Sequence, residues 1–241
     1  MESIICTSGL TKIYRIGQTR IQALRDVDLE IKKGEFCAVT GTSGSGKSTL
    51  LNMLAGLERP TRGQIVVGGQ HIEKLSENRL VVYRQKQVGF IFQSFNLMPH
   101  LTALENVALP MIFCGISPAA RRRRAIKTLQ SLGLSKHLRH RPTQLSGGQQ
   151  QRVAIARAVV TDPDIIFADE PTGNLDSHTS REILTLLKSL SADQGRTVVM
   201  VTHDINYAQL ADRMIKLSDG SIVDIIENKQ GEISNETNQM A

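Results

Sequence analysis

The sequence predicts an α/β fold: a mainly parallel sheet interrupted once by an all-helical insertion. Three observations carry this. Short apolar, β-branched runs recur with helical patterns between them, the alternation of strand–helix–strand units. Between Thr102 and Thr161 the strand signals stop and three helical patterns follow one another. The net charge of +6 is also unevenly placed, because residues 94–160 hold ten Lys and Arg against one acid, Glu105.

Along the chain, the strand runs are Glu35 to Thr40, Gln64 to Val67, Val88 to Phe92, Asp164 to Ala168, Thr197 to Val201 and Arg213 to Leu217, with a last strand signal at Ser221 to Ile226. Several are almost wholly apolar, as strands buried on both faces must be. Helical patterns at Ser48 to Leu57, Ser177 to Leu190 and Asp204 to Ala211 separate them, and the insertion reads as helices over Thr102 to Phe113, Pro118 to Leu132 and Ser146 to Val160. The expected organisation is a single domain over 1–228, with an α/β core at 1–93 and 161–228 and a helical subdomain at 94–160. The polar stretch 229–241 lacks periodicity and is expected to be disordered.

Composition narrows the class. At 241 residues and 40% hydrophobic content the chain fills one large domain core, not two. No apolar run approaches the ~18–20 residues a membrane-spanning helix needs, and the opening residues show no basic-then-apolar secretory pattern, so the chain is expected to remain in the cytosol. Three widely spaced cysteines, Cys6, Cys37 and Cys114, fit neither a disulfide framework nor a zinc cluster and are expected to be reduced structural thiols.

The strand Glu35 to Thr40 runs directly into Gly41-Thr42-Ser43-Gly44-Ser45-Gly46-Lys47-Ser48-Thr49 and then into an apolar helical run. This is the G-x-x-x-x-G-K-[ST] phosphate loop in the strand–loop–helix setting that gives it meaning. The glycines let successive backbone N–H groups curl around one anion, and the helix N-terminus adds its positive end. Lys47 is expected to reach the β- and γ-phosphates of a nucleoside triphosphate, and the Ser48 hydroxyl to sit on Mg²⁺. A second strand, Ile165 to Ala168, ends in Asp169-Glu170. Asp169 is expected to hold Mg²⁺ through its water shell, and Glu170 to orient or deprotonate the attacking water.

Leu145-Ser146-Gly147-Gly148-Gln149, just before a helical pattern, resembles the signature motif of ATP-binding cassette (ABC) ATPases. Ser146 with the Gly147 and Gly148 amides would make a second anion-binding helix start in a chain that already has one. Other positions fall in the family's order. Tyr14 resembles the aromatic residue stacking on adenine, Gln93 the glutamine at the junction of core and helical subdomain, Asn174-Leu175-Asp176 the D-loop, and His203 the switch histidine. Gln93 has a side-chain oxygen suited to Mg²⁺ or the water.

The resemblance implies a P-loop NTPase core with an N-terminal antiparallel β portion, ATP and Mg²⁺ as cofactors, and ATP hydrolysis to ADP and phosphate. It implies that a second copy of the cassette pairs head to tail, so that each signature helix closes on nucleotide bound by the other copy's loop. It implies also an integral-membrane permease partner at the cytoplasmic face of the membrane. Wording outside the shared motifs, such as Phe90 to Leu97, Leu104 to Pro110 and Ala168 to Asp176, resembles the branch serving macrolide efflux, lipoprotein release and antimicrobial-peptide resistance. Export or extrusion is the expected role. A cassette that regulates a membrane partner without transport, as in cell division, shares every motif.

The run Arg121 to Arg124 falls in the first turns of a predicted helix, where positive charge opposes the macrodipole. It reads as a solvated face with Ile126, Leu129 and Leu132 turned inward, or as a face near anionic headgroups or the partner's cytoplasmic end. Basic residues are not interleaved with aromatics, so nucleic acid is not an expected partner.

Overall fold

The computed structural model describes residues 2–228. The expectation for 229–241 lies outside the described residues.

The chain opens with two long strands, β1 (Ser3–Ile16) and β2 (Thr19–Lys32), paired antiparallel. β3 (Phe36–Thr40) leads into α1 (Lys47–Leu54), and β4 (Arg62–Val67) and the two-residue β5 (Gln70–His71) complete a four-stranded antiparallel sheet in the order β2-β1-β4-β5. Then come α2 (Glu77–Gln87), β6 (Val88–Ile91), and the helices α3 (Ala103–Phe113), α4 (Pro118–Ser131) and α5 (Gly147–Val159). The core resumes with β7 (Ile165–Asp169), α6 (Ser177–Ala192), β8 (Thr197–Thr202), the short α7 (Ile205–Ala208), β9 (Arg213–Ser218) and β10 (Ser221–Glu227). These strands form a six-stranded sheet in the order β10-β9-β3-β8-β7-β6, parallel except for the β9–β10 pair.

The central strands are apolar throughout because both faces are covered. Phe36, Ala38, Ile166, Ala168, Val198 and Met200 join the core shared with α3, α5 and α6. Their neighbours Cys37, Val39, Ile165, Phe167, Val199 and Val201 join a second core with α1 and the antiparallel sheet. The period-2 alternation of a strand thus sends successive side chains into two different cores. Cys37 is buried, Cys6 half-buried and Cys114 exposed, all as free thiols.

Several expectations are corrected in detail. Gln64 to Val67 belongs to the antiparallel sheet, not to the parallel one. α7 covers only Ile205–Ala208 of the pattern read over Asp204 to Ala211, and Asp204 is its N-cap. α1 stops at Leu54, leaving Leu57 exposed. The sequence reading missed α2, whose inward face is only Leu80 and Tyr83 while Val81 and Val82 are exposed, so its periodicity is faint. β1 and β2 left no clean alternation because register shifts interrupt the ladder near Leu10 and Lys12, with left-handed backbone at Gly9 and Asp26.

Candidate functional site

The loop between β3 and α1 is shaped by glycines where other residues cannot stand. Gly46 has φ 101°, and a Cβ there would lie 2.4 Å from the Ala23 carbonyl oxygen. At Gly41 a Cβ would lie 2.2 Å from the Leu217 carbonyl oxygen and 2.6 Å from Ser45 Oγ. The backbone therefore wraps closely against β2 and β9, and the loop borders a depression of about 210 Å³ lined by Ala23, Ser43, Gly44, Gly46, Lys47, Ser48, Thr49 and Glu170. Lys47 is almost fully buried, and its Nζ donates to the carbonyls of Gly41 (2.9 Å) and Thr42 (2.8 Å). The ammonium group is thus held by the loop itself. Ser45 Oγ is buried without a hydrogen-bond partner among the described residues.

Parallel pairing of β7 with β8, and of β8 with β3, carries the end of β7 toward this loop. Ser48 Oγ donates to Asp169 Oδ1 at 3.0 Å. Burial and the neighbouring Glu170 charge push the Asp169 carboxyl above its ordinary range, against the opposing effects of Ser48 and Lys47. A hydroxyl and a carboxylate held together beside a phosphate loop form an oxygen donor set of the kind Mg²⁺ takes, leaving further positions for water. Among the described residues no group of three or more His, Cys, Asp or Glu gathers as a metal cluster.

Glu170 takes a left-handed backbone, φ 44°, a strained state for a non-glycine residue, and its N–H donates to the Val201 carbonyl at 3.0 Å. This turns its side chain away from the line of β7. One carboxylate oxygen, Oε2, then meets two groups from other strand ends: Gln93 Nε2 at 3.3 Å and His203 Nδ1 at 3.2 Å. Gln93 follows β6 and His203 follows β8, the two strands flanking β7 in the sheet. Asn174 Nδ2 donates to the Gln93 carbonyl (3.0 Å), tying the following turn to the same place. A sequence expectation of three separate residues thus becomes one cluster.

Tyr14 lies beside α1. Its hydroxyl donates to Glu58 Oε2 (2.6 Å), with Lys12 Nζ 5.1 Å from the ring centroid, and burial together with Glu58 raises the phenol's pKa. Asp176 is the N-cap of α6, its carboxylate accepting from Thr179 N (2.9 Å) and Thr179 Oγ1 (2.7 Å).

Ser146, Gly147, Gly148 and Gln149 form a separate surface. Ser146 is the N-cap of α5 in a reciprocal capping box with Gln149. A Cβ on Gly148 would lie 2.5 Å from Thr179 Cγ2, and one on Gly147 3.3 Å from Leu175 Cδ2, so this turn packs on the 174–179 segment. Among the described residues, no hydrogen bond joins positions 146–149 to positions 41–48.

One positioning residue escaped the sequence reading. Arg157 of α5 donates to the carbonyls of Phe95 (2.9 Å) and Asn96, both at left-handed backbone, and so fixes the turn after Gln93 to the helix that begins at Ser146. Its signal in the sequence was only one more charge in a basic segment.

Comparison with known proteins agrees with this geometry. A family profile described as ABC transporter matches residues 24–173. An uncharacterised ABC transporter ATP-binding protein of Thermotoga maritima is 47% identical over 222 residues, 92% of this chain and 94% of that protein. The macrolide export ATP-binding/permease protein MacB of Hyphomonas neptunium is 47% identical over 227 residues, which is 94% of this chain and 35% of that longer protein. A dimeric post-hydrolysis structure of the ATP-binding cassette MJ0796, a Methanocaldococcus jannaschii protein, bound to ADP and Pi, matches with TM-score 0.87 at 46% identity, covering 94% of this chain and 100% of that one. With the phosphate loop, the Asp169-Glu170 strand end and the Ser146 helix start in place, the chain belongs to the ABC transporter family.

Proposed function

We propose that this chain binds and hydrolyses ATP at sites shared between two copies of itself, and powers export or extrusion through an integral-membrane subunit at the cytoplasmic face of the membrane. The observation that carries the reading is the convergence of Gln93 and His203 on one oxygen of Glu170 beside the Ser48–Asp169 pair. The phosphate loop and Lys47 bind the triphosphate. Lys47 gives up its two carbonyl partners for phosphate oxygens, an exchange that keeps its buried charge paired.

Bound Mg²⁺ would neutralise charge developing on the phosphates. Ser48, Asp169 and Gln93 are the residues suited to hold it, directly or through water. Glu170 takes the proton of the attacking water on the carboxylate that Gln93 and His203 position. For Tyr14, the family resemblance supports a stacking role against the base. Ser146 and the Gly147 and Gly148 amides, remote from the loop of their own chain, supply the second anion-binding helix start to the other copy.

Among the described residues no helix is long and apolar enough to cross a membrane. The separate membrane subunit and the export role are supported by the similarity to a macrolide export ATP-binding/permease protein, only 35% of which this chain matches. The helical segment 94–160, with its basic excess and its junction at Gln93, is the part assigned to meet that subunit.

The shared-site arrangement makes a kinetic demand. Specific ATPase activity of the purified chain should rise with protein concentration until dimers predominate. A specific activity independent of concentration from the nanomolar to the tens-of-micromolar range would exclude it.

A further inference from the structure

The geometry points to His137 as a positioning residue that holds the Gln149 side chain against the Ser146 helix start, by accepting from its amide NH₂. This rests on the shared-site reading above, and it concerns a residue of the loop between α4 and α5 that plays no part in the mechanism so far described.

Gln149 bridges two groups. Its Oε1 lies 3.0 Å from the Ser146 backbone nitrogen, and its Nε2 lies 3.2 Å from His137 Nε2. The Ser146 N–H can only donate, so Gln149 must turn its oxygen toward Ser146 and its NH₂ toward the histidine. That fixes the histidine: Nε2 has to accept, which makes the ring neutral with its proton on Nδ1. Nδ1 is itself buried with no hydrogen-bond partner among the described residues, so neither tautomer is chosen from that side. The choice comes from Gln149 alone.

The consequence for the Ser146 turn follows from the amide's two ends. An amide free to rotate offers Ser146 either an oxygen or an NH₂, and only the first completes the box in which Ser146 Oγ accepts from Gln149 N (3.3 Å). The Ser146 N–H itself disfavours the second state, and His137, by accepting from the NH₂, holds the side chain in the first. The loop is in turn held in place: His137 N donates to the Leu134 carbonyl (2.9 Å), His140 N donates to the His137 carbonyl (3.0 Å), and the His140 ring packs at 5.0 Å between centroids. The loop also receives the Ala103 and Leu104 amides of α3 on the carbonyls of His140 and Leu138. A shift of the helical segment thus reaches the face presented to the other copy through one hydrogen bond.

Two measurements test this. Nitrogen-15 NMR of the nucleotide-free chain should show His137 with Nδ1 protonated and Nε2 unprotonated, and a protonated Nε2 overturns the proposal. In a Glu170→Gln background, His137→Leu should weaken ATP-dependent dimerisation about tenfold or more, since two such caps act in each dimer. Binding of a fluorescent ATP analogue by the monomer should be unchanged, and the unfolding temperature should fall by no more than a few degrees. His137→Gln, which can again offer an oxygen to the Gln149 NH₂, should recover most of the loss. Dimerisation unaffected by His137→Leu, or no recovery with His137→Gln, overturns the proposal. If the Glu170→Gln chain itself never dimerises with ATP, the shared-site reading falls, and the NMR result alone upholds or overturns the His137–Gln149 contact.

Discussion

His203 Nδ1 stands 3.2 Å from Glu170 Oε2, the same oxygen that Gln93 Nε2 approaches at 3.3 Å. If Glu170 is the general base proposed above, these two contacts place its reacting oxygen before any water arrives. Glu170→Gln keeps the shape and removes the proton acceptor. Turnover should fall by at least about a hundredfold, nucleotide binding should persist, and a stable dimer should accumulate with ATP. Phosphate release and analytical ultracentrifugation give the two readouts, and a variant that still turns over at the parental rate refutes the assignment.

Asp169 should set activity against stability. Its raised pKa means that the folded chain holds this proton more tightly than the unfolded chain, whose carboxyl titrates near 3.8. The stabilising contribution is complete below that value and is lost as pH rises through the higher folded value. Asp169→Asn retains an oxygen for the Ser48 hydroxyl and removes the half-buried charge. The nucleotide-free variant should therefore melt higher than the parent at neutral pH, the gap should close in acid, and ATPase should be lost. Calorimetry at several pH values checks it, and a lower melting temperature at neutral pH would contradict the sign.

The phosphate loop separates backbone shape from charge. Gly46→Ala places a Cβ 2.4 Å from the Ala23 carbonyl oxygen at a φ of 101°, so it should cost about 2 kcal/mol or more in stability as well as nucleotide affinity. Lys47→Ala should lose affinity by about a hundredfold, as expected for a charge-assisted contact to phosphate. Its loop should survive, because the Gly41 and Thr42 carbonyls can turn to water. Denaturant unfolding and equilibrium nucleotide binding on both variants distinguish the two effects.

In α4, the Arg121 guanidinium donates to the Ile116 carbonyl at 3.1 Å, whereas Arg122, Arg123 and Arg124 are exposed and enter none of the ion pairs among the described residues. Reversing only these three to Glu should leave the ATPase of the purified chain within about twofold, since surface changes away from a site are usually mild. Recruitment to membranes carrying the partner subunit should weaken. Membrane pelleting with and without added salt reads the effect, and unchanged recruitment removes the idea.

The phosphate loop, the Asp169-Glu170 strand end and the Ser146 turn were legible in the amino-acid sequence because each is a local device: a few residues of fixed type at fixed spacing, bound to a strand or helix end. The parallel strands were legible too, since burial on both faces leaves an unbroken apolar run. What the linear order could not show is what depends on neighbours in space. Nothing local to β1 or β2 predicts their bulged pairing, and α2 buries too few side chains to write a period. The meeting of Gln93, Glu170 and His203 exists only because β6, β7 and β8 lie side by side, and Arg157 reaches Phe95 and Asn96 only when α5 packs beside the turn after β6. Local chemistry is encoded by spacing along the chain, whereas contacts between positions 77 or 62 residues apart are settled by which strands and helices share a core.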